Sequence, residues 1–367
     1  MLNVLITAAS RRVALVQAFR QALAGAGVRG SVVVTDVNPM SPAVHVAARA
    51  YRVSLATEPA YLDEIGAISQ REAIGLIVPT IDDELPLFGR VRPAFERMGV
   101  RVAASTERTA SLCNDKHALC EHLRARGIPA AQSFLPGMLP DRPDFPLFIK
   151  PRYGRGSVGA YAVRNPRELA FFLHYVEQPV IQEFLNGAEY TIDMLCDFDG
   201  RPLSVVPRER VVIRSGVTDR GRTSGDPALI ELALRCADAL AFAGAVNIQC
   251  RIVDGRPVIF EINPRFSGGI PLTIAAGADF PRMLVDLAIN RPVASAVGEF
   301  QRDLWMTSYE QSIFKPGSEM GVLEAGNQGW ERPRPCEPED MRIRARASAS
   351  ARRGAPRPLI NADKEVA

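Results

Sequence analysis

The sequence predicts an α/β and α+β protein, with an N-terminal doubly wound parallel α/β domain followed by a region of antiparallel hairpins. Two observations carry this. Between residues 2 and 85, short β-branched runs alternate with helical patterns, which implies parallel strands joined by crossover helices. After about residue 113 the strands come in pairs joined by tight turns, DFDG at 197–200 and Asp254-Gly255, which read as hairpins.

In the first region LNVLIT (2–7) is a buried strand, and Val13, Leu15, Val16, Phe19 and Leu23 follow a helical period. Strands at 31–38, 50–56 and 75–85 and a helix at 60–71 complete the pattern. Ligands of such sheets sit at the carboxyl ends of the strands, here 7–12, 36–39 and 79–84. In the second region NDKHALCEHLRARGIP is a helix stopped by Gly127, with Pro129 beyond it. FPLFIKP (145–151) is a strand, RYGRGSVGAYAV a glycine-rich turn into another, and RNPRELAFFLHYV (164–176) an amphipathic helix capped near Asn165. Strands at 179–187 and 188–213, helices at 226–243 and 280–290, and a hairpin at 245–265 follow. The pattern weakens beyond about 300. Residues 342–358 hold no acid and little apolar bulk, so a flexible basic tail is expected there.

The net charge of +3 is uneven, because the segment from Arg342 onward contributes +5 and leaves the rest near −2. A nearly neutral body gives no electrostatic reason to expect nucleic acid as the main partner. No apolar run reaches the roughly 18 to 20 residues that span a bilayer, and the apolar-then-basic start reads as a strand rather than a secretory signal. Six cysteines without a CxxC fit reduced thiols in a cytoplasmic enzyme.

Two motifs mislead. Gly25 to Gly30 spells G-x-G-x-x-G, but it follows a helix and precedes a strand, the reverse of what a dinucleotide site requires. Cys113, His117 and Cys120, with His122 nearby, suggest zinc on one helical face, yet no complementary cluster exists elsewhere, and core packing is the simpler reading.

The chemistry lies in three segments. Lys116 starts a helix, and Lys150 ends a strand between Ile149 and Pro151, an apolar setting in which a lysine needs a partner. Directly after it, Gly154, Gly156 and Gly159 let backbone N–H groups approach phosphate oxygens. On the hairpin, Asn247 and Gln249 share one face, as do Glu261 and Asn263. Paired antiparallel, Gln249, Glu261 and Asn263 would converge as oxygen ligands of magnesium, with Arg265 placed to neutralise a transferring phosphoryl group. Arg208, Arg210 and Arg214 either hold a substrate carboxylate or form a solvated edge.

These segments, in this order, resemble the ATP-grasp superfamily, with FEINPRFSGG close to the form found in carbamoyl-phosphate synthase large subunits. The resemblance covers roughly residues 1–295. It implies a pre-ATP-grasp domain (1–112), a two-lobed ATP-grasp module (113–298, with a lid lobe at about 113–182 and a metal and ATP lobe at about 183–298), and an extension (299–367). It implies that Lys116 and Lys150 bind the phosphates of ATP, and that Gly154, Gly156 and Ser157 cover them. Gln182, Glu183 and Leu185 would meet adenine, and Glu189 the ribose. Gln249, Glu261 and Asn263 would hold two Mg²⁺ or Mn²⁺ ions, with Arg265, Lys150 and Arg210 catalytic. Some relatives carry Glu where Gln182 and Gln249 stand, so metal affinity or choice is expected to differ. With one module and no glutaminase or biotin-carrier segment, a stand-alone carboxylate–amine ligase is expected, cytoplasmic and homodimeric, acting on a small acid and an amine. Its rivals are other acyl-phosphate chemistry, such as a carboxylase or thiol ligase, and a non-catalytic ATP-binding module.

Overall fold

The computed structural model describes residues 1–154, 156, 158–317 and the backbone of 324–325, all within one compact unit, Met1–Glu331. Ser157 and the basic stretch at 342–358 lie outside the described residues.

The chain opens with β1 (Asn3–Ile6), α1 (Val13–Gly25), β2 (Val32–Asp36), β3 (Arg49–Arg52) and α2 (Tyr61–Arg71). It continues with β4 (Ile74–Val78), α3 (Leu85–Arg97), β5 (Arg101–Val102) and α4 (Glu107–Asn114). Next come α5 (Lys116–Arg124), β6 (Ser133–Phe134), β7 (Leu147–Pro151), β8 (Tyr161–Val163), α6 (Pro166–Tyr175) and β9 (Pro179–Glu183). Then follow β10 (Glu189–Cys196), β11 (Pro202–Arg214), β12 (Val217–Thr223), α7 (Pro227–Ala239), β13 (Gly244–Val253) and β14 (Arg256–Asn263). The last elements are α8 (Ile270–Ala275), α9 (Phe280–Ala288), β15 (Trp305–Thr307) and β16 (Glu324–Ala325).

Three sheets result. The first is parallel, in the order β16-β3-β2-β1-β4-β5. This is the doubly wound arrangement that the alternating pattern predicts. The predicted strand at 75–85 is shorter than expected, because β4 ends at Val78. The carboxylate of Glu84 accepts the N–H groups of Thr80 (2.7 Å) and Ile81 (3.2 Å), which turns the chain out of the sheet, and α3 starts at Leu85 with a proline in its first turn. Likewise β3 stops at Arg52 rather than 56, where the Glu64 carboxylate captures the backbone N–H of Ser54.

The second sheet is antiparallel, in the order β14-β13-β10-β11-β12-β15. The third, β6-β9-β7-β8, is a small antiparallel sheet over which α6 lies. Both predicted hairpins form, and Gly255 takes the positive φ of 76° that its turn needs. The sequence reading has no strand at β12, and its pattern fades past 300 where β15 lies, yet both strands extend the second sheet.

A shared core ties the first sheet to the second: Val4, Ile6 and Phe19 pack in one cluster with Leu195, Val206, Phe266 and Phe280. Gly244, which starts β13, has a positive φ of 77°, and a Cβ there would lie 2.9 Å from the carbonyl oxygen of Ala103.

Between the layers sits one fully buried ion pair. Arg208 on β11 bonds Asp193 on β10 at 2.8 Å, Thr273 Oγ1 donates to Asp193 Oδ2, and Arg208 Nη2 donates to Ser267 Oγ. Removing one partner of such a pair strands a charge in low dielectric. Arg208→Ala is expected to destabilise the fold by about 3–5 kcal/mol, read as a lower urea midpoint with unchanged slope.

Candidate functional site

A cleft of about 1200 Å³ opens where the three sheets meet. Its floor is the β13–β14 hairpin. Register places Gln249 opposite Glu261 and Asn247 opposite Asn263, as the shared-face reading expects. Gln249, Glu261 and Asn247 line the cleft. Asn263 is buried, and its Nδ2 donates to Glu261 Oε1 at 2.9 Å, so it orients the carboxylate. Asn247 Oδ1 is buried with no hydrogen-bond partner among the described residues. An unsatisfied amide oxygen beside a single carboxylate is a donor set that suits a hard divalent cation.

Lys150 reaches the floor from β7. It is 6% exposed, its Nζ donates to the Phe260 carbonyl at 3.3 Å, and it stands 5.3 Å from the Phe260 ring centroid. Burial pushes the ammonium below the ordinary lysine range, while nearby Glu261 acts in the opposite direction. Lys116, equally buried at the start of α5, donates to the carbonyl of Gly154 at 2.6 Å. Both predicted lysines therefore meet one cleft, one on the floor and one under the glycine loop.

That loop has an anchor the sequence reading missed. Asp115 caps α5 through the Ala118 N–H and takes two hydrogen bonds from Arg152 (2.9 and 2.6 Å) and one from Tyr153 (3.1 Å). The available signal was an aspartate at a helix N-cap. Gly154, Gly156 and Gly159 all have positive φ, so three residues of the loop use conformations that suit glycine. Across the cleft, Gly216, in the turn between β11 and β12, packs against Gly156: a Cβ on Gly216 would lie 3.1 Å from the Gly156 carbonyl carbon.

The predicted adenine segment lies along the same cleft. Gln182 is buried, and its Nε2 donates to Cys120 Sγ at 3.3 Å. Glu183 exchanges bonds with Gln132: its N–H donates to the Gln132 carbonyl, and its Oε1 accepts the Gln132 N–H. Leu185 is buried along the cleft wall. Glu189 is held on both oxygens, by Arg210 Nη1 at 2.7 Å and Arg251 Nη2 at 2.5 Å.

The three arginines of β11 separate. Arg208 is buried in its ion pair, behind the cleft lining. Arg210 lines the cleft but commits its two terminal nitrogens to Glu189 and to the Gly216 carbonyl, at 2.7 Å each. Neither sits on a solvated edge. Arg214 is exposed and pairs with Glu310 at 2.9 Å. Burial lowers the proton affinity of Arg210, and Glu189 counters that. The fixed partners make Arg210 a brace between Glu189 and the loop that meets the glycine turn.

The opposite wall comes from the first sheet, at the strand ends 7–12 and 79–84. Arg265 Nη2 pairs with Asp82 Oδ2 at 3.0 Å. Arg12 donates to the carbonyls of Phe266 (3.0 Å), Ser267 (2.9 Å) and Thr80 (3.1 Å). Burial and nearby Arg265 bring Arg12 down to about 9, so it stays protonated at neutral pH. Asp36, at the third strand end, instead binds the backbone N–H groups of Ser10 and Asn38. Ser308, Tyr309 and Glu310, beyond the region where the sequence pattern fades, also line the cleft. The cysteine and histidine cluster serves packing: Cys113 and Cys120 are core residues, and His117 Nδ1 bonds Ser133 Oγ at 2.9 Å.

Comparison with known proteins agrees with this geometry. Residues 4–103 match the family model "PylC-like, N-terminal domain", and residues 176–312 match "ATP-grasp in the biosynthetic pathway with Ter operon". The carbamoyl phosphate synthase large chain of Thermus thermophilus is 28% identical over 271 residues, covering 64% of this chain and 25% of that one. The chain thus spans about a quarter of that relative. D-alanine–D-alanine ligase A of Bacillus cereus is 27% identical over 232 residues, covering 54% of this chain and 76% of the relative. In fold, the L-amino acid ligase of Bacillus licheniformis superimposes with a TM-score of 0.63 at 17% identity, over 82% of this chain and 78% of that one. The biotin carboxylase domain dimer of Hydrogenobacter thermophilus 2-oxoglutarate carboxylase, solved with MgADP and bicarbonate, gives 0.63 at 16%, over 82% and 73%. This chain carries an ATP-grasp domain behind a PylC-like N-terminal domain.

Proposed function

We propose that the chain is an ATP-dependent ligase that phosphorylates a substrate carboxylate to an acyl phosphate and couples it to an amine, releasing ADP and phosphate. The observation that supports this best is the convergence in one cleft of two buried lysines, a glycine loop, a carboxylate–amide rim and Arg265.

In this reading Lys150 and Lys116 neutralise the phosphates, and Lys116 exchanges its bond to Gly154 for a phosphate oxygen. Gly154, Gly156 and Ser157 lie over the phosphates. Gln182, Glu183 and Leu185 border the adenine, and Glu189, steadied by Arg210 and Arg251, takes the ribose hydroxyls. Gln249, Glu261 and Asn263, with Asn247 beside them, would hold one or two Mg²⁺ or Mn²⁺ ions, which supply charge neutralisation on the phosphates. Having one carboxylate in that set favours a metal held largely by the nucleotide. Arg265 steadies charge on the acyl phosphate. No nucleophilic side chain is needed, because positioning and electrostatics lower the barrier.

We place the enzyme in the cytoplasm, where ATP is abundant and its five described, unpaired cysteines remain reduced; no described helix is long and apolar enough to cross a membrane. The substrates are a small acid and a small amine, and the assembly is a homodimer.

Glu261→Ala is expected to abolish metal-dependent ADP formation in a coupled assay; unchanged turnover would move the metal elsewhere. Lys150→Ala is expected to weaken ATP use at least tenfold, about 1.4 kcal/mol. A bound polyanion raises the lowered proton affinity of Lys150 towards its ordinary range. Between those two values nucleotide binding takes up a proton, so affinity falls as pH rises through that window. Calorimetry in buffers of different ionisation enthalpy should show this uptake in the native protein and lose it in Lys150→Ala.

A further inference from the structure

Apolar side chains gather on one part of the cleft wall and stay open to solvent. Ile213 and Val217, on either side of the Gly216 turn, are 41% and 37% exposed, and Tyr309 is 83% exposed; all three line the cleft. Ile270 and Pro271, at the start of α8, line it as well. The chain around Tyr309 is pinned on both sides. The Ser308 N–H donates to the Asp219 carbonyl at 2.9 Å, and Glu310 pairs with Arg214 at 2.9 Å. The Tyr309 hydroxyl has no hydrogen-bond partner among the described residues. An aromatic ring that its neighbours hold over a cleft, and that covers nothing itself, is surface left for a ligand. This wall stands at the reacting end. A Cβ on Gly268 would lie 2.7 Å from Val217 Cγ1, so the valine fits there because residue 268 is a glycine. Between Arg265 and Gly268, Arg12 clamps the carbonyls of Phe266 and Ser267 at 3.0 and 2.9 Å.

We propose that the acid substrate carries an apolar substituent, aliphatic or aromatic, which rests on Val217, Ile213 and Tyr309 while its carboxylate faces Arg265. This rests on the ligase reading above and names the class of acid it activates. The acid is favoured over the amine because the acyl carbonyl must lie at Arg265, and its substituent then runs along the residues that follow, towards Gly268 and Val217. The charged groups of this wall are matched to one another. Arg214 pairs with Glu310 and lies 3.8 Å from Asp219. Arg210 commits its terminal nitrogens to Glu189 and the Gly216 carbonyl. A charged substituent would find those partners taken, whereas an apolar one would cover exposed carbon. Val217, Ile213 and Tyr309 set specificity and do not touch the reacting atoms.

The test is hydroxamate formation by the full chain with magnesium, ATP and hydroxylamine. The acid's carboxylate takes the γ-phosphoryl group and ADP leaves; the hydroxylamine nitrogen then attacks the carbonyl carbon, loses a proton and expels phosphate. The acids come in pairs, without and with an α-amino group: acetate and glycine, succinate and aspartate, isocaproate and leucine, hydrocinnamate and phenylalanine. At least one apolar acid should exceed acetate, glycine, succinate and aspartate in kcat/KM by about tenfold or more. In Tyr309→Ala the KM for that acid should rise about tenfold, and in Val217→Thr it should rise too, with kcat and the KM for ATP unchanged, as uniform binding requires. Val211→Thr, exposed on the same strand but not lining the cleft, should change nothing. Equal turnover of the small or dicarboxylic acids, or an unchanged KM in both variants, overturns the apolar subsite and leaves the ligase reading standing. A preference for succinate or aspartate overturns it in favour of Arg11, which lines the cleft from the opposite wall. No hydroxamate from any acid overturns both. Should a variant not fold, the ranking of acids by the native protein decides the matter.

Discussion

The register of β13 against β14 is the constraint on which the site depends. Side chains alternate faces along a strand, so a slip of one residue would turn Gln249 and Glu261 into the core and bring Ile248 and Ile262 to the cleft. Three features hold the register: the Asp254-Gly255 turn, the burial of Ile248 and Ile262 against α5 and α7, and the pairing of β13 with β10 along its other edge. An irregularity after Gln249 lets the strands re-phase below the site without disturbing the pairs above it.

Most charges around the cleft are already committed. Glu189, Arg210, Asp115 and Arg12 each have short bonds to protein partners, and those partners come from different elements. Such a network fixes dipoles in advance, so little reorganisation is left for the ligand to drive. Lys150 is an exception. A buried ammonium with one long bond to a carbonyl and an aromatic face is under-satisfied, and an anion is the natural remedy. Much of the site is therefore electrostatically prepared, and Lys150 is left for phosphate.

Local signals made much of this legible. Turn dipeptides, strand alternation and the glycine loop identified the floor hairpin, both lysines and the doubly wound sheet. Long-range pairing was not legible. Arg208, Arg210 and Arg214 share a strand, and only their partners separate them; Asp193 and Glu189 lie on β10, and the sequence carries no mark that those carboxylates are within reach. The strand end at Val78 was overrun because IDDEL reads as loop or strand until Glu84 is seen to fold back on Thr80 and Ile81. β12 was missed because its run, VTDRGRT, is mostly polar, and β15 because an exposed edge strand carries no buried alternation, so the contribution of 308–310 to the cleft went unseen as well.

The meeting of Gly216 with Gly156 has a wider meaning. Backbone touches backbone there, with no side chain between, and Gly216 holds a φ of 75° that L side chains avoid. A bulkier residue would act as a wedge and keep the roof ajar. If the proposed function holds, water would then reach an acyl phosphate that hydrolyses readily, and the ligase would become a futile ATPase. In the ligase proposed above, the absence of a single methyl group would thus separate bond making from fuel wasting.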